Sequence, residues 1–123
     1  MAEVVDSRGK PVAQAWLFVS LDENQRPILV ADNIEVNGRY PVGSEANRAI
    51  REALFQFLSR YAQECGIPKV VLGKGEYNDV ETQDLSSITT PPLQKISGYL
   101  WGTEPYYLEA ANQTSPYLIS EAR

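Results

Sequence analysis

Residues 44–65 carry an apolar pattern with a helical period, and this long stretch lies between two short apolar segments. Ala46, Ala49, Ile50, Ala53, Leu54, Phe57, Leu58, Tyr61 and Cys65 recur at three- and four-residue spacing, which is the signature of one wide helix face. Asn47, Arg48, Arg51, Glu52, Gln56, Arg60 and Gln63 fall on the other faces. Ser44 is placed to cap the first turn, and Glu45 sits at the positive end of the helix dipole. Gly66 ends the helix and Pro68 prevents its return. On this reading Cys65 is an inert thiol buried at the helix end.

Upstream, residues 28–36 (Ile-Leu-Val-Ala-Asp-Asn-Ile-Glu-Val) read as a long strand. Downstream, Lys69-Val70-Val71-Leu72-Gly73 is nearly all apolar, as a strand covered on both faces should be. Strand, helix and strand in that order predict a crossover with residues 28–36 and 69–73 parallel. Residues 11–21, rich in β-branched and aromatic side chains, predict a strand antiparallel to 28–36. Residues 3–6 read as a short strand before a turn at Gly9. The fold class expected is therefore α+β, with a mixed, mostly antiparallel central sheet and one long helix.

The last third is less regular. Residues 79–92 are polar and read as a short helix followed by a loop. Residues 93–100 and 106–111 read as paired strands, and Tyr117-Leu118-Ile119 as an edge strand. No internal repeat or low-complexity tract divides the chain, so residues 1–123 are taken as one domain.

Several function classes are excluded by what the sequence lacks. There is no histidine among its 123 residues, which removes the commonest general base, the Ser–His and Cys–His nucleophile pairs and histidine-based zinc sites. No metal site is expected. The net charge is −5, and lysine and arginine form no cluster, so a nucleic-acid partner is not expected. No apolar run approaches the roughly 20 residues of a membrane span, and residues 1–4 lack the features of a signal peptide. With one cysteine, Cys65, no internal disulfide forms. The expected location is cytoplasmic.

The order of elements resembles the GNAT acyltransferase fold from its second strand onward, over residues 3 to about 111. The loop segment Arg39-Tyr40-Pro41-Val42-Gly43-Ser44-Glu45-Ala46 stands where that family has Arg/Gln-x-x-Gly-x-Gly/Ala. It has one extra residue between Arg39 and Gly43. Asn78 follows the buried strand where the family often has an asparagine near the cofactor. Gly98-Tyr99 and Tyr106-Tyr107 resemble the Gly-Phe and the aromatic start of the final hairpin. The resemblance implies an N-acetyltransferase-like enzyme that binds acetyl-CoA or another acyl-CoA where a strand splays from its neighbour beside Val36. The pyrophosphate would rest on backbone N–H groups at the start of the helix. It implies direct transfer to the amine of a small molecule or peptide, with Glu35 or a bound water as base and Tyr77 or Tyr99 as the acid that protonates the thiolate. Arg39, Gly43, Ser44 and Asn78 would then bind cofactor. It also implies that the family's first strand and first two helices are absent here.

Each residue has a second reading. Glu35 is also an ordinary polar residue near a strand end. Ser44 and Gly43 are also a helix cap and a tight turn. Tyr77, Asn78 and Asp79 also form a polar turn closed on its own backbone. The alternative function is a non-catalytic GNAT-like module for protein interaction, either as a homodimer or with a missing N-terminal domain. An open cleft beside Val36, with free N–H groups at Ala46 and Asn47, favours acyl-CoA. A cleft plugged by side chains favours the module.

Overall fold

A computed structural model of the chain describes residues 1–75, 78–96 and 109–122. Among these residues, five strands and one helix follow in chain order: β1 (Ala2–Val5), β2 (Pro11–Leu21), β3 (Pro27–Val36), α1 (Glu45–Glu64), β4 (Lys69–Leu72) and β5 (Tyr117–Glu121). They form a five-stranded sheet in the order β1-β2-β3-β4-β5. β3 and β4 pair in parallel, and the other three pairs are antiparallel. The chain is thus α+β with a mixed sheet, and the crossover expected from residues 28–36, 44–65 and 69–73 is present.

The two hairpins close by one device. In the first turn Asp6 Oδ1 accepts the N–H groups of Arg8 and Lys10 at 2.8 and 2.9 Å. In the second, Asp22 Oδ1 accepts those of Asn24 and Arg26 at the same distances. Each turn needs one left-handed residue, Gly9 at φ 79 and Gln25 at φ 63. Glycine adopts that conformation freely and glutamine does not. The second turn therefore leans on its aspartate. The N–H group of Arg26, then that of Asn24 and the Arg26 charge, hold the Asp22 carboxyl below the usual carboxylate range against the opposing effect of its burial.

α1 covers one sheet face. Leu54, Leu58 and Ala62 pack on Ala15, Leu29, Ala31, Ile34, Val70 and Leu72. Burying a leucine or isoleucine of this kind stabilises the fold by about 1.5–3 kcal/mol. The sheet-facing row is Asn47, Ile50, Leu54, Leu58 and Ala62. This corrects two expectations. Asn47 is buried rather than solvent-facing, and Cys65 is exposed rather than buried. The apolar positions of α1 in fact form two rows, and only one of them meets the sheet.

Residues 86–96 cross the opposite face. They form no helix; at one end Leu118 N donates to Ser86 O at 2.7 Å, and at the other Gln94 N donates to Ser20 Oγ at 2.9 Å. Leu93, Ala110, Ile88 and Leu118 close this second core over Phe18, Ile28, Val30 and Val71. β5 takes in Tyr117-Leu118-Ile119 and pairs with β4. Half of the predicted strand pair at 93–100 and 106–111 lies outside the described residues, and its described residues, 93–96 and 109–111, are not in a strand. No helix among the described residues is long and apolar enough to cross a membrane.

Candidate functional site

β3 and β4 pair only from Ile28↔Lys69 to Ala31↔Leu72. Beyond that point Gly73 N still donates to Ala31 O at 2.9 Å, but β4 has ended at Leu72, and β3 runs on to Val36 with a free edge. The β2–β3 register shifts between Gln14 and Trp16, and Asn33 adopts a left-handed φ of 52. This is the geometry of a bulge, which bends a strand and re-aims it. The wedge opened there is the position that the resemblance reserves for a cofactor.

The protein fills that wedge itself. After β4 the chain returns to the free edge of β3 at Asn78 and Asp79. The Asn78 side chain spans the gap: its Oδ1 accepts from Ile34 N at 3.1 Å and its Nδ2 donates to Gly73 O at 2.9 Å. Asp79 N donates to Ile34 O at 2.8 Å, and Asp79 Oδ2 accepts from Val36 N at 3.1 Å. The helix start is tied into the same cluster. Asn47 Nδ2 donates to Asp79 O at 2.8 Å and to Tyr40 O at 2.9 Å. A strand edge that needs partners has thus found them within the chain.

Among the described residues, the expected site residues are bonded within the chain. Val36 spends its N–H on Asp79, and Asn78 bridges the strands. Glu35 is exposed, and its carboxylate accepts from Gln14 Nε2 at 2.8 Å across the β2–β3 pair. Arg39 is exposed in a turn where its N–H meets Asn37 Oδ1 at 3.0 Å. Ser44 caps α1 by accepting from Asn47 N at 3.1 Å. Gly43, at φ 92, offers its carbonyl to the Arg48 guanidinium at 2.9 Å. Tyr77 and Tyr99 lie outside the described residues.

The sequence reading missed Asn47, although its spacing from Ile50, Leu54, Leu58 and Ala62 places it on the buried row. It also assigned no role to Asp32 or Glu109. Asp32 is 1% exposed, and among the described residues its buried Oδ2 has no hydrogen-bond partner, nor does the buried Glu109 Oε2. Burial pushes the Asp32 carboxyl above its ordinary range, and the nearby Glu109 charge adds to the rise. The N–H groups of Ala110 and Glu109 oppose it. Gly73 permits this approach, since a Cβ there would stand 2.5 Å from Ala110 Cβ.

A carboxyl raised in the folded state holds its proton longer when folded than when unfolded. Its contribution to stability is present in acid and is lost as pH rises from about 4 through the raised folded value. Wild type should therefore lose stability relative to Asp32→Asn across that window, with a constant difference above it. Urea melts at a series of pH values read this directly. A flat difference would show that Asp32 titrates normally.

No family model, curated protein or solved structure matches the chain. The functional reading therefore rests on the geometry of the wedge. Among the described residues, no group of three metal-ligating side chains is assembled.

Proposed function

We propose that this chain is a non-catalytic protein-interaction module with a GNAT-like order of elements. One observation carries the reading: the β3 edge beside Val36, where an acyl-CoA would lie, is paired with Asn78 and Asp79 of the same chain. A ligand entering there must break several hydrogen bonds, each worth about 0.5–1.5 kcal/mol net, and leave buried groups unpaired. The helix start gives further support. Asn47 N, a donor that a pyrophosphate would need, already serves the Ser44 cap, and Glu45 stands in the first turn.

The transferase reading keeps a specific observation of its own. β3 runs on past the end of β4 at Leu72 to Val36, next to the left-handed Asn33. In that reading acetyl-CoA would displace residues 78–79, and Glu35 would act as base on an amine acceptor.

Calorimetric titration with acetyl-CoA separates the two, with a thermal-shift check on the same sample. The module reading expects no saturable heat and no stabilisation at millimolar ligand. Saturable binding that Gly43→Asp abolishes would instead establish a cofactor site and overturn the proposal.

A further inference from the structure

We infer that the outward face of α1 is a self-association surface that pairs antiparallel with the same face of a second copy. The inference rests on the module reading and names its partner.

Two rows of residues, each at four-residue spacing, run along this face. One is Ala49, Ala53, Phe57, Tyr61 and Cys65, all exposed; Phe57 is 50% exposed and Tyr61 42%, and their rings stack with centroids 6.1 Å apart. Beside it runs Arg48, Glu52, Gln56, Arg60 and Glu64, also exposed. Among the described residues, none of these four charged side chains forms an ion pair within the chain.

The charge order of the second row is positive, negative, neutral, positive, negative. Reversed, it is its own complement. In an antiparallel pair centred on Gln56, Arg48 faces Glu64 of the second copy, and Glu52 faces its Arg60. The twofold axis repeats both pairs, as an isologous interface requires. A parallel in-register pair would set Arg48 on Arg48 and Glu52 on Glu52, which the charges forbid.

The apolar row obeys the same symmetry. Its small residues lie toward one helix end and its aromatics toward the other. Turned end for end about the same centre, Phe57 of one copy lies about 3 Å along the axis from Phe57 of the other, and Ala53 and Tyr61 are offset by the same amount, which the aromatic rings span. Small residues opposite large ones let the two helices approach closely. The helix has 20 residues, or about 30 Å of length. One such face gives a contact at the small end of specific interfaces, so the dimer should be weak and concentration-dependent.

Sedimentation equilibrium of the full chain tests this, from about 10 μM to about 1 mM. Wild type should pass from monomer toward dimer across that range. Glu52→Arg sets a second guanidinium against Arg60 of the other copy, and Arg60→Glu sets like charges together in the opposite sense. Each variant alone should weaken dimerisation at least about tenfold. An equimolar mixture of the two restores every opposite-charge pair and should dimerise about as well as wild type. Circular dichroism confirms that each variant is folded. A wild type that stays monomeric throughout, or a dimer indifferent to both reversals, overturns the inference. If that monomer also takes up no acetyl-CoA, the module reading stands with a different partner. Acetyl-CoA uptake overturns the module reading itself, whatever the oligomeric state.

Discussion

Leu58→Ala is expected to remove about 2–5 kcal/mol of folding free energy. Leu58 is fully buried and belongs to the cluster that joins α1 to the sheet face of Leu29, Ala31, Ile34, Val70 and Leu72. Truncation loses the transfer free energy of the deleted carbons and leaves a cavity. The cavity relaxes poorly, because strands β2, β3 and β4 form its floor and are held by one another. Domains of this size are stable by only about 5–15 kcal/mol, so the variant should unfold at clearly lower urea. Phe57→Ala is the internal control. Its side chain points away from the sheet, so in the monomer it should change stability by no more than about 0.5 kcal/mol. A control that costs as much as Leu58→Ala would place the sheet on the other row of the helix.

Asn47→Ala is expected to cost about 1–3 kcal/mol, a large effect for removing one polar side chain. Asn47 is 1% exposed. Its amide joins the carbonyls of Tyr40 and Asp79, tying the helix entry to the segment that closes the wedge. Truncation leaves both carbonyls, one on half-buried Tyr40 and one on exposed Asp79, without that donor, and each hydrogen bond lost costs about 0.5–1.5 kcal/mol net. It should also loosen residues 78–79 from β3. Hydrogen exchange should therefore speed up at the Val36 and Asp79 amides, which bond across the wedge, while Val70 and Val71 in β4 stay protected. Equal acceleration everywhere would point to global destabilisation alone and would remove Asn47 from the wedge's closure.

How much of this was legible in the sequence differs from element to element. α1 was readable end to end, because its cap at Ser44, its period and its stop at Gly66 are all local signals. The βαβ crossover followed from the short apolar run at residues 69–73. Glu35 and Arg39 were legible as polar residues at a strand end and in a loop; the Glu35 carboxylate accepts from Gln14 Nε2, and the Arg39 backbone N–H donates to Asn37 Oδ1. Asn78 was legible as a residue beside the wedge. That it closes the wedge was not, since one amide side chain serves equally to bind a ligand or to bridge Ile34 and Gly73.

The sequence by itself determined the elements up to residue 73, the parallel pair and the overall class, because spacing, capping and turn chemistry act over a few residues and need no distant partner. Only the tertiary structure decided which apolar row of α1 met the sheet, that Asn47 was buried, that residues 86–96 crossed the second face and that residues 78–79 returned to the edge of β3. Those outcomes depend on pairings between residues far apart in the chain. There the alternatives differ by which buried hydrogen bonds and apolar contacts can be satisfied together, and a local pattern carries no record of that choice.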